Sequence, residues 1–206
     1  ARESYNIVPG IGIASFGPVQ SVVLVLKKDP AEVRTLALDA NSRASSALCQ
    51  IIFEKVYGHR PEVFESPPDL KQMLDRSDAA LLIGDSALGL DPRKYRLLDL
   101  GEAWSELTGL PFVYACWTGR PGSAGPDEVK WLTEAKALGV GMISEIARVW
   151  AASNLYTSEF YEAYLTRRIS YDVGEREREG LRLFYEYAFE LGLINRIPQV
   201  GLFAEA

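Results

Sequence analysis

Histidine and cysteine are nearly absent from this chain: among 206 residues there is one histidine, His59, and there are two cysteines, Cys49 and Cys116. A single histidine leaves almost no material for a serine–histidine–aspartate type of machinery. His59 itself sits in Tyr57-Gly58-His59-Arg60-Pro61, where a surface turn is expected rather than a catalytic base. Two cysteines cannot make a zinc site alone. Both lie in apolar segments and read as buried free thiols, with an otherwise unsupported disulfide as the alternative. An excess of positive charge is lacking too: the net charge is −6. That argues against a nucleic-acid surface, which needs a basic patch, while a few local donors can still hold a small anion. No run approaches the roughly 18–20 apolar residues of a membrane span, and no signal peptide is recognisable at the start. A cytoplasmic protein without membrane or nucleic-acid partners is the expectation. No internal repeat or low-complexity tract is present.

What is there is an ordinary globular balance, 48% hydrophobic and 24% charged, at a length that suits one or two domains. The most informative stretch is Asp99–Gly119. Asp99 with Glu102 resembles a capping box. Leu100, Ala103, Trp104 and Leu107 form one apolar helical stripe. Gly109 stands where a left-handed cap belongs, and Pro111 stops the helix. Phe112–Trp117 then runs apolar without a break, as in a strand covered on both faces. A lone short helix leading into such a strand suits a chain passing between lobes.

Upstream, strands are predicted at 21–27, 35–39, 63–65, 79–83 and 96–98, with helices opening at Asn41-Ser42 and near Pro68. The alternation predicts an α/β layer with mostly parallel strands. Downstream, helices are predicted at 126–138, around 143–150, at 158–166 and at 174–191 with Gly192 as the stop. This helical tail has no strands of its own and is expected to pack on 112–117 and the start of the chain. The Glu/Arg alternation at 175–179 reads as a solvated helix face.

Three segments could carry chemistry. Asn41-Ser42-Arg43-Ala44-Ser45-Ser46 follows a strand and opens a helix, so its free amides, hydroxyls and Arg43 suit a carboxylate or phosphate, or serve as an ordinary cap. Gly84-Asp85-Ser86 follows the strand 79–83, and loops at the carboxyl ends of parallel strands line ligand crevices. Asp85 there could hold a ligand hydroxyl or exchange a proton, or simply begin a helical turn. In Ser15–Ser21, Gly17-Pro18 suits a turn or a close backbone approach. Ser15, Ser21 and the hydroxyl of Tyr114 could face a cleft, although such a tyrosine is often core.

These segments occur together in a familiar order: Gly17-Pro-Val-Gln-Ser-Val22, Ser42-Arg-Ala-Ser45, Ala80-Leu-Leu-Ile-Gly-Asp-Ser-Ala-Leu88, Asp99–Trp117, and a tail with Tyr164-Leu165, Ile169-Ser-Tyr171, Gly180-Leu181, Phe184 and Gly192-Leu193. The pattern resembles the MqnA family of menaquinone biosynthesis proteins, the chorismate dehydratases of the futalosine pathway, over nearly the whole chain. The resemblance implies an α/β, two-lobed fold like the type II periplasmic binding proteins, with the ligand between the lobes. Residues 1–19 and 112–206 would form one lobe and 20–111 the other. Family members carry about 60–80 further residues at the N-terminus, the size of a lobe's opening part. The first lobe is therefore expected to be incomplete here, and the chain to be a fragment short of activity by itself. Apolar surface on 112–117 and the helical tail is then expected to be uncovered. Ala44 stands where the family often has threonine, which removes one hydroxyl donor.

The implied reaction is a carbon–oxygen lyase step: chorismate loses water to give 3-[(1-carboxyvinyl)oxy]benzoate, driven by aromatisation, with no metal or redox cofactor required. The implied contacts are Ser42, Ser45 and Ser46 with their amides for one carboxylate, aided by Arg43. Ser15, Ser21, Gly84 and Tyr114 line the site, and Asp85 meets the ring hydroxyl. No residue stands out as the general base, a role open to the substrate's own carboxylate or to a segment outside this chain. The rival readings are a non-catalytic binding protein for a small anion on the same fold, and the sister enzyme 1,4-dihydroxy-6-naphthoate synthase. The oligomeric state is left open.

Overall fold

The computed structural model describes residues 4–204. In chain order the elements are β1 (Tyr5–Ser15), β2 (Val22–Leu26), a 3-10 turn (Pro30–Glu32), β3 (Thr35–Asp39), α1 (Arg43–Tyr57), β4 (Glu62–Ser66), α2 (Leu70–Arg76), β5 (Ala79–Ile83), α3 (Asp85–Leu88), β6 (Arg96–Asp99) and α4 (Leu100–Thr108). Then follow β7 (Phe112–Gly119), α5 (Pro126–Gly141), α6 (Ile143–Ala151), α7 (Ser158–Arg167), α8 (Glu175–Glu190) and β8 (Val200–Leu202). This is a mixed α/β protein with two sheets. No helix among the described residues is long and apolar enough to cross a membrane.

The chain divides into two compact units. Phe16–Pro111 and Glu186–Asn195 form a unit built on a five-stranded sheet in the order β4-β3-β5-β2-β6. Phe112–Tyr185, with the described parts of 1–15 and 196–206, forms a unit built on a three-stranded sheet in the order β7-β1-β8.

In the five-stranded unit every residue of β2 is buried, and so are the first four of β5. Val23, Val25, Ala37, Ala80 and Leu82 share one face with Met73 of α2 and Ala87 of α3. Strand alternation turns Leu24, Leu36 and Leu81, all fully buried, to the opposite face. The links β3–α1–β4 and β4–α2–β5 step along the sheet in opposite directions. Right-handed crossovers therefore place α1 and α2 on opposite faces, which is why such central strands read as unbroken apolar runs. α1 begins with Ser42, whose side chain accepts the Ser45 N–H, and ends at a left-handed Gly58. α4 is capped by Asp99 and ends at a left-handed Gly109, as its sequence predicts. Trp104 of α4 is fully buried and donates its indole N–H to the Pro111 carbonyl at 3.2 Å.

Two expectations about this unit gain detail. The strands are mostly parallel as expected, with one exception: β3, β4, β5 and β6 run one way, and β2, antiparallel to both β5 and β6, runs the other. The reason lies in the link from β2 to β3, which carries only the 3-10 turn and no crossover helix, so the chain reverses. His59 sits, partly exposed, in the turn after Gly58 as expected, and it has partners there. Its ring stacks obliquely on Phe53 at 5.5 Å, and its Nε2 lies 3.1 Å from the Pro30 carbonyl.

In the three-stranded unit β1 runs antiparallel to β7 and parallel to β8. The β1–β7 ladder breaks between Ile7 and Gly12. Pro9, which has no N–H to donate, lies inside the break, so a bulge falls there. Val8 and Ile11 turn into a small core with Val129 and Phe203. Phe112 packs edge-on against Phe184 of α8 at 5.2 Å. The inward stripe expected for α8 is present: Leu181 and Phe184 are buried in this unit, and Ala188 and Leu191, which belong to the five-stranded unit, are buried as well.

β7 departs from the expectation of two covered faces and agrees with the expectation of uncovered apolar surface on 112–117. Only Phe112 and Val113 are buried; Ala115 is exposed and Trp117 is 57% exposed. β7 is an edge strand whose outer half carries apolar side chains in the open, so an apolar run did not mean two covered faces. Leu138, Ile146, Val149 and Trp150 are exposed as well. The thiols also divide: Cys49 is buried and free, whereas Cys116, on β7, is free and only partly buried.

Candidate functional site

Two loops leave the five-stranded sheet side by side. Neighbouring parallel strands lie about 4.8 Å apart, and β3 and β5 are such neighbours. The end of β3 leads through Asp39–Ser42 into α1, and the end of β5 leads through Gly84 into α3. β2 is antiparallel to β5, so its beginning lies at the same edge, with Val22 opposite Ile83. Just before it, the Ser21 carbonyl accepts the Gly84 N–H at 2.8 Å. Ser21, Ser42, Ser45, Gly84 and Asp85 are thus brought to one sheet edge.

At the start of α1 the hydroxyls of Ser42 and Ser45 are 2.9 Å apart, with Ser42 donating, and the Ser45 N–H donates back to Ser42 Oγ at 3.2 Å. Ser45 is buried. Ser42 is therefore a helix cap in fact, and its capping bond uses one of the first-turn amides. The first turn of α1 holds no acidic residue, so nothing there neutralises the positive end of the helix dipole. Before the cap, the buried Asp39 carboxylate accepts the Asn41 backbone N–H at 2.9 Å and its side-chain amide at 2.8 Å, which fixes the approach to the helix.

Ser42, Arg43 and Ser46 also line a hollow of about 320 Å³. Asp39, Glu65, Gln50 and Phe64 line it with them. Arg43 is exposed and has no ion-pair partner among the described residues. Asp39 and Glu65 share that lining with it, so acidic as well as basic side chains border the hollow. Ser45, Ser21, Gly84 and Asp85 are not part of this lining.

Gly84 has φ +59 and ψ −138, a conformation open to glycine alone at low cost, and its carbonyl accepts the N–H groups of Ala87 and Leu88. Asp85 is the first residue of the four-residue α3, and its exposed carboxylate makes no hydrogen bond among the described residues. Ser15 and Tyr114 belong to the other unit. Their hydroxyls share a hydrogen bond of 3.0 Å, Ser15 is buried, and the Tyr114 ring packs edge-on to Phe112 at 4.9 Å. A hollow of about 700 Å³ in that unit is lined mainly by apolar side chains such as Ile11, Ile13, Trp117 and Leu132, with Lys136 and Tyr171 among them, and contains none of the sequence-predicted site residues. Among the described residues no cluster of histidine, cysteine and acidic side chains could hold a metal.

One arrangement at the edge is absent from the sequence reading. Asp99 caps α4 through the N–H groups of Gly101 and Glu102 at 2.9 and 3.1 Å. The same carboxylate accepts the N–H groups of Val19 and Gln20 at 3.1 and 2.6 Å. The capping signal at Asp99 was legible; that a second segment would use the same carboxylate, 80 positions away, was not.

An α/β protein of two sheets, one presenting an edge of amides and hydroxyls, is the class defined by these features. The fold is that of protein AF1704 from Archaeoglobus fulgidus, whose crystal structure matches with a TM-score of 0.71 and 23% identity over 93% of this chain and 74% of that one. The chain belongs to the Menaquinone biosynthesis family, which it matches over residues 1–190. A chorismate dehydratase of Thermus thermophilus is 29% identical over 203 residues, covering 90% of this chain and 74% of that protein. A second chorismate dehydratase, from Campylobacter jejuni, is 33% identical over 81 residues, 38% of this chain and 35% of that protein.

Proposed function

We propose that the protein is a chorismate dehydratase of the futalosine route to menaquinone, on a fold like that of the type II periplasmic binding proteins. The observation that carries this assignment is the likeness to the Thermus thermophilus chorismate dehydratase across 90% of the chain. The chemistry of the sheet edge supports it. Chorismate carries two carboxylates, and the start of α1 offers amides, two paired hydroxyls and a dipole end with no acid in its first turn.

In the reaction a ring C–H proton is removed, the C–O bond to the ring hydroxyl breaks and the electron pair completes the aromatic ring. Water leaves, and 3-[(1-carboxyvinyl)oxy]benzoate remains. Ser42, Ser45 and Ser46 with their amides are assigned to one carboxylate, with Arg43 beside them. Asp85, on a loop that Gly84 allows to turn tightly, is assigned to the departing hydroxyl. Ser21 lies next to that loop through its bond to Gly84. Ser15 and Tyr114 form a separate hydroxyl pair in the other unit. Fixed donors of this kind lower the barrier by facing charge as it develops.

Incubation with chorismate, followed by proton NMR for new aromatic ring signals, tests the assignment. Catalysed appearance of the 3-substituted benzoate is the expected result. Chorismate that binds and is recovered unchanged would instead make this a binding protein. Ser45→Ala and Asp85→Asn are each expected to lower kcat/KM by about ten-fold or more, the loss of one charge-assisted hydrogen bond.

A further inference from the structure

We infer that Asp99 is a positioning residue: one oxygen of its carboxylate caps α4 while the other holds the backbone of Gln20 in place ahead of Ser21. Oδ1 accepts from Gly101, Glu102 and Val19, whereas Oδ2 accepts from Gln20 alone, at 2.6 Å. Gln20 has φ +67 and is the only non-glycine residue with positive φ among the described residues. L side chains rarely adopt that conformation unless something outside the residue compels it. The Gln20 side chain is exposed, so the compulsion comes from the backbone.

A second bond from α4 secures the same loop. The Gly17 N–H donates to Ser105 Oγ at 2.8 Å, and that hydroxyl donates to the Gly101 carbonyl at 2.9 Å. The loop is thus fastened at Gly17, Val19 and Gln20 to the first turns of one helix. Immediately after it, buried Ser21 accepts the Gly84 N–H. The line from Asp99 through Gln20 and Ser21 to Gly84 joins the start of α4 to the loop that carries Asp85. Among the described residues the Asp99 carboxylate bonds to the Val19, Gln20, Gly101 and Glu102 amides and not to Asp85; it sets where the Ser21 carbonyl stands, and with it the Gly84 turn.

Two roles on two oxygens can be separated. Asparagine caps helices as well as aspartate does, so Asp99→Asn keeps an acceptor for the cap and puts an amide N–H group where Gln20 needs an acceptor. The effect on turnover rests on the chorismate dehydratase assignment; the effect on the Gln20 amide does not. Amide exchange measured by NMR on the whole chain is the primary test. In the unaltered protein the Gln20 amide is expected to be protected although its side chain is exposed. In Asp99→Asn it is expected to exchange faster by about ten-fold or more, the loss of one hydrogen bond to a charged group, while the Gly101 and Glu102 amides keep their protection. Chorismate KM is expected to rise by a similar factor with kcat nearly unchanged. Glycine adopts positive φ freely, so Gln20→Gly added to Asp99→Asn is expected to bring KM most of the way back down. Fast exchange of Gln20 in the unaltered protein, or equal protection in Asp99→Asn, overturns the inference. Should Asp99→Asn fold poorly, exchange in the unaltered chain still decides it. If chorismate is not a substrate, the functional assignment fails while the exchange result still decides the role of Asp99.

Discussion

β5 and β7 are both short apolar strands, yet they meet opposite fates. Ala79–Ile83 runs through the middle of a five-stranded sheet, between β3 and β2, with helices on both faces. Phe112–Gly119 forms the edge of a three-stranded sheet and keeps only its first two residues buried. The run of apolar residues announces a strand in both cases. What covers it is decided by neighbours far away in sequence: β3 and β2 for one, and β1 on a single side for the other. The five-stranded unit therefore holds its stability in its interior, and the three-stranded unit leaves much of its apolar surface in the open.

The largest test of that contrast is a pair of tryptophans. Trp104→Ala, in the five-stranded unit, empties a fully buried site and removes a bond to Pro111, and is expected to cost about 3–5 kcal/mol in urea unfolding. Trp117→Ala, at 57% exposure, is expected to cost less than about 0.5 kcal/mol. Equal losses would show that β7 is covered in solution and would erase the contrast.

Acid provides the next largest effect. Lys28 pairs with Asp78 at 2.7 Å, and the Arg34 and Thr35 amides donate to the same carboxylate. The Lys28 bond first, and then these amides, hold Asp78 at about 2, below its ordinary 3.8. A folded value below the unfolded one means that the stabilisation is complete above about pH 4 and is lost as pH falls from there to about 2, an amount of at most roughly 2 kcal/mol. Asp78→Asn is expected to flatten unfolding free energy against pH in that window. In the other unit, Asp172 pairs with Lys136 but is 78% exposed, and Asp172→Asn is expected to leave the curve nearly unchanged.

Helix caps give the smallest effect and compare the units on equal terms. Ser42 caps α1 and Thr157 caps α7, each accepting from the amide three residues on. Ser42→Ala and Thr157→Ala are each expected to cost about 1 kcal/mol in thermal unfolding. Only the serine substitution is expected to weaken chorismate binding as well. An equal loss of binding from Thr157→Ala would remove the start of α1 from the candidate site.

Local signals made much of the fold readable. α4 was marked at both ends, by Asp99 and by Gly109, and β5 was an apolar run stopping at Gly84; both elements have the bounds their residues suggest. β8 was not readable, because three residues carry too little pattern and their partner in β1 lies at the other end of the chain. The mixed direction of β2 was missed although its cue was present: the stretch between Leu26 and Thr35 has no room for a crossover helix. At the site, the serines at the start of α1 were legible because capping is a local act. The left-handed Gln20 was not, because no local feature of a glutamine calls for that conformation; a distant carboxylate does.

The two free thiols fall one in each unit, and they keep different time. Burial raises the Cys49 thiol well above its ordinary value, and burial raises Cys116 too, though that side chain remains partly open to solvent. An alkylating reagent needs the thiolate and a path to it. Cys116 therefore reports on the native surface of its unit, whereas Cys49 answers only when α1 lifts from its sheet. One molecule carries two built-in stopwatches, and mass spectrometry can read both from a single quenched sample.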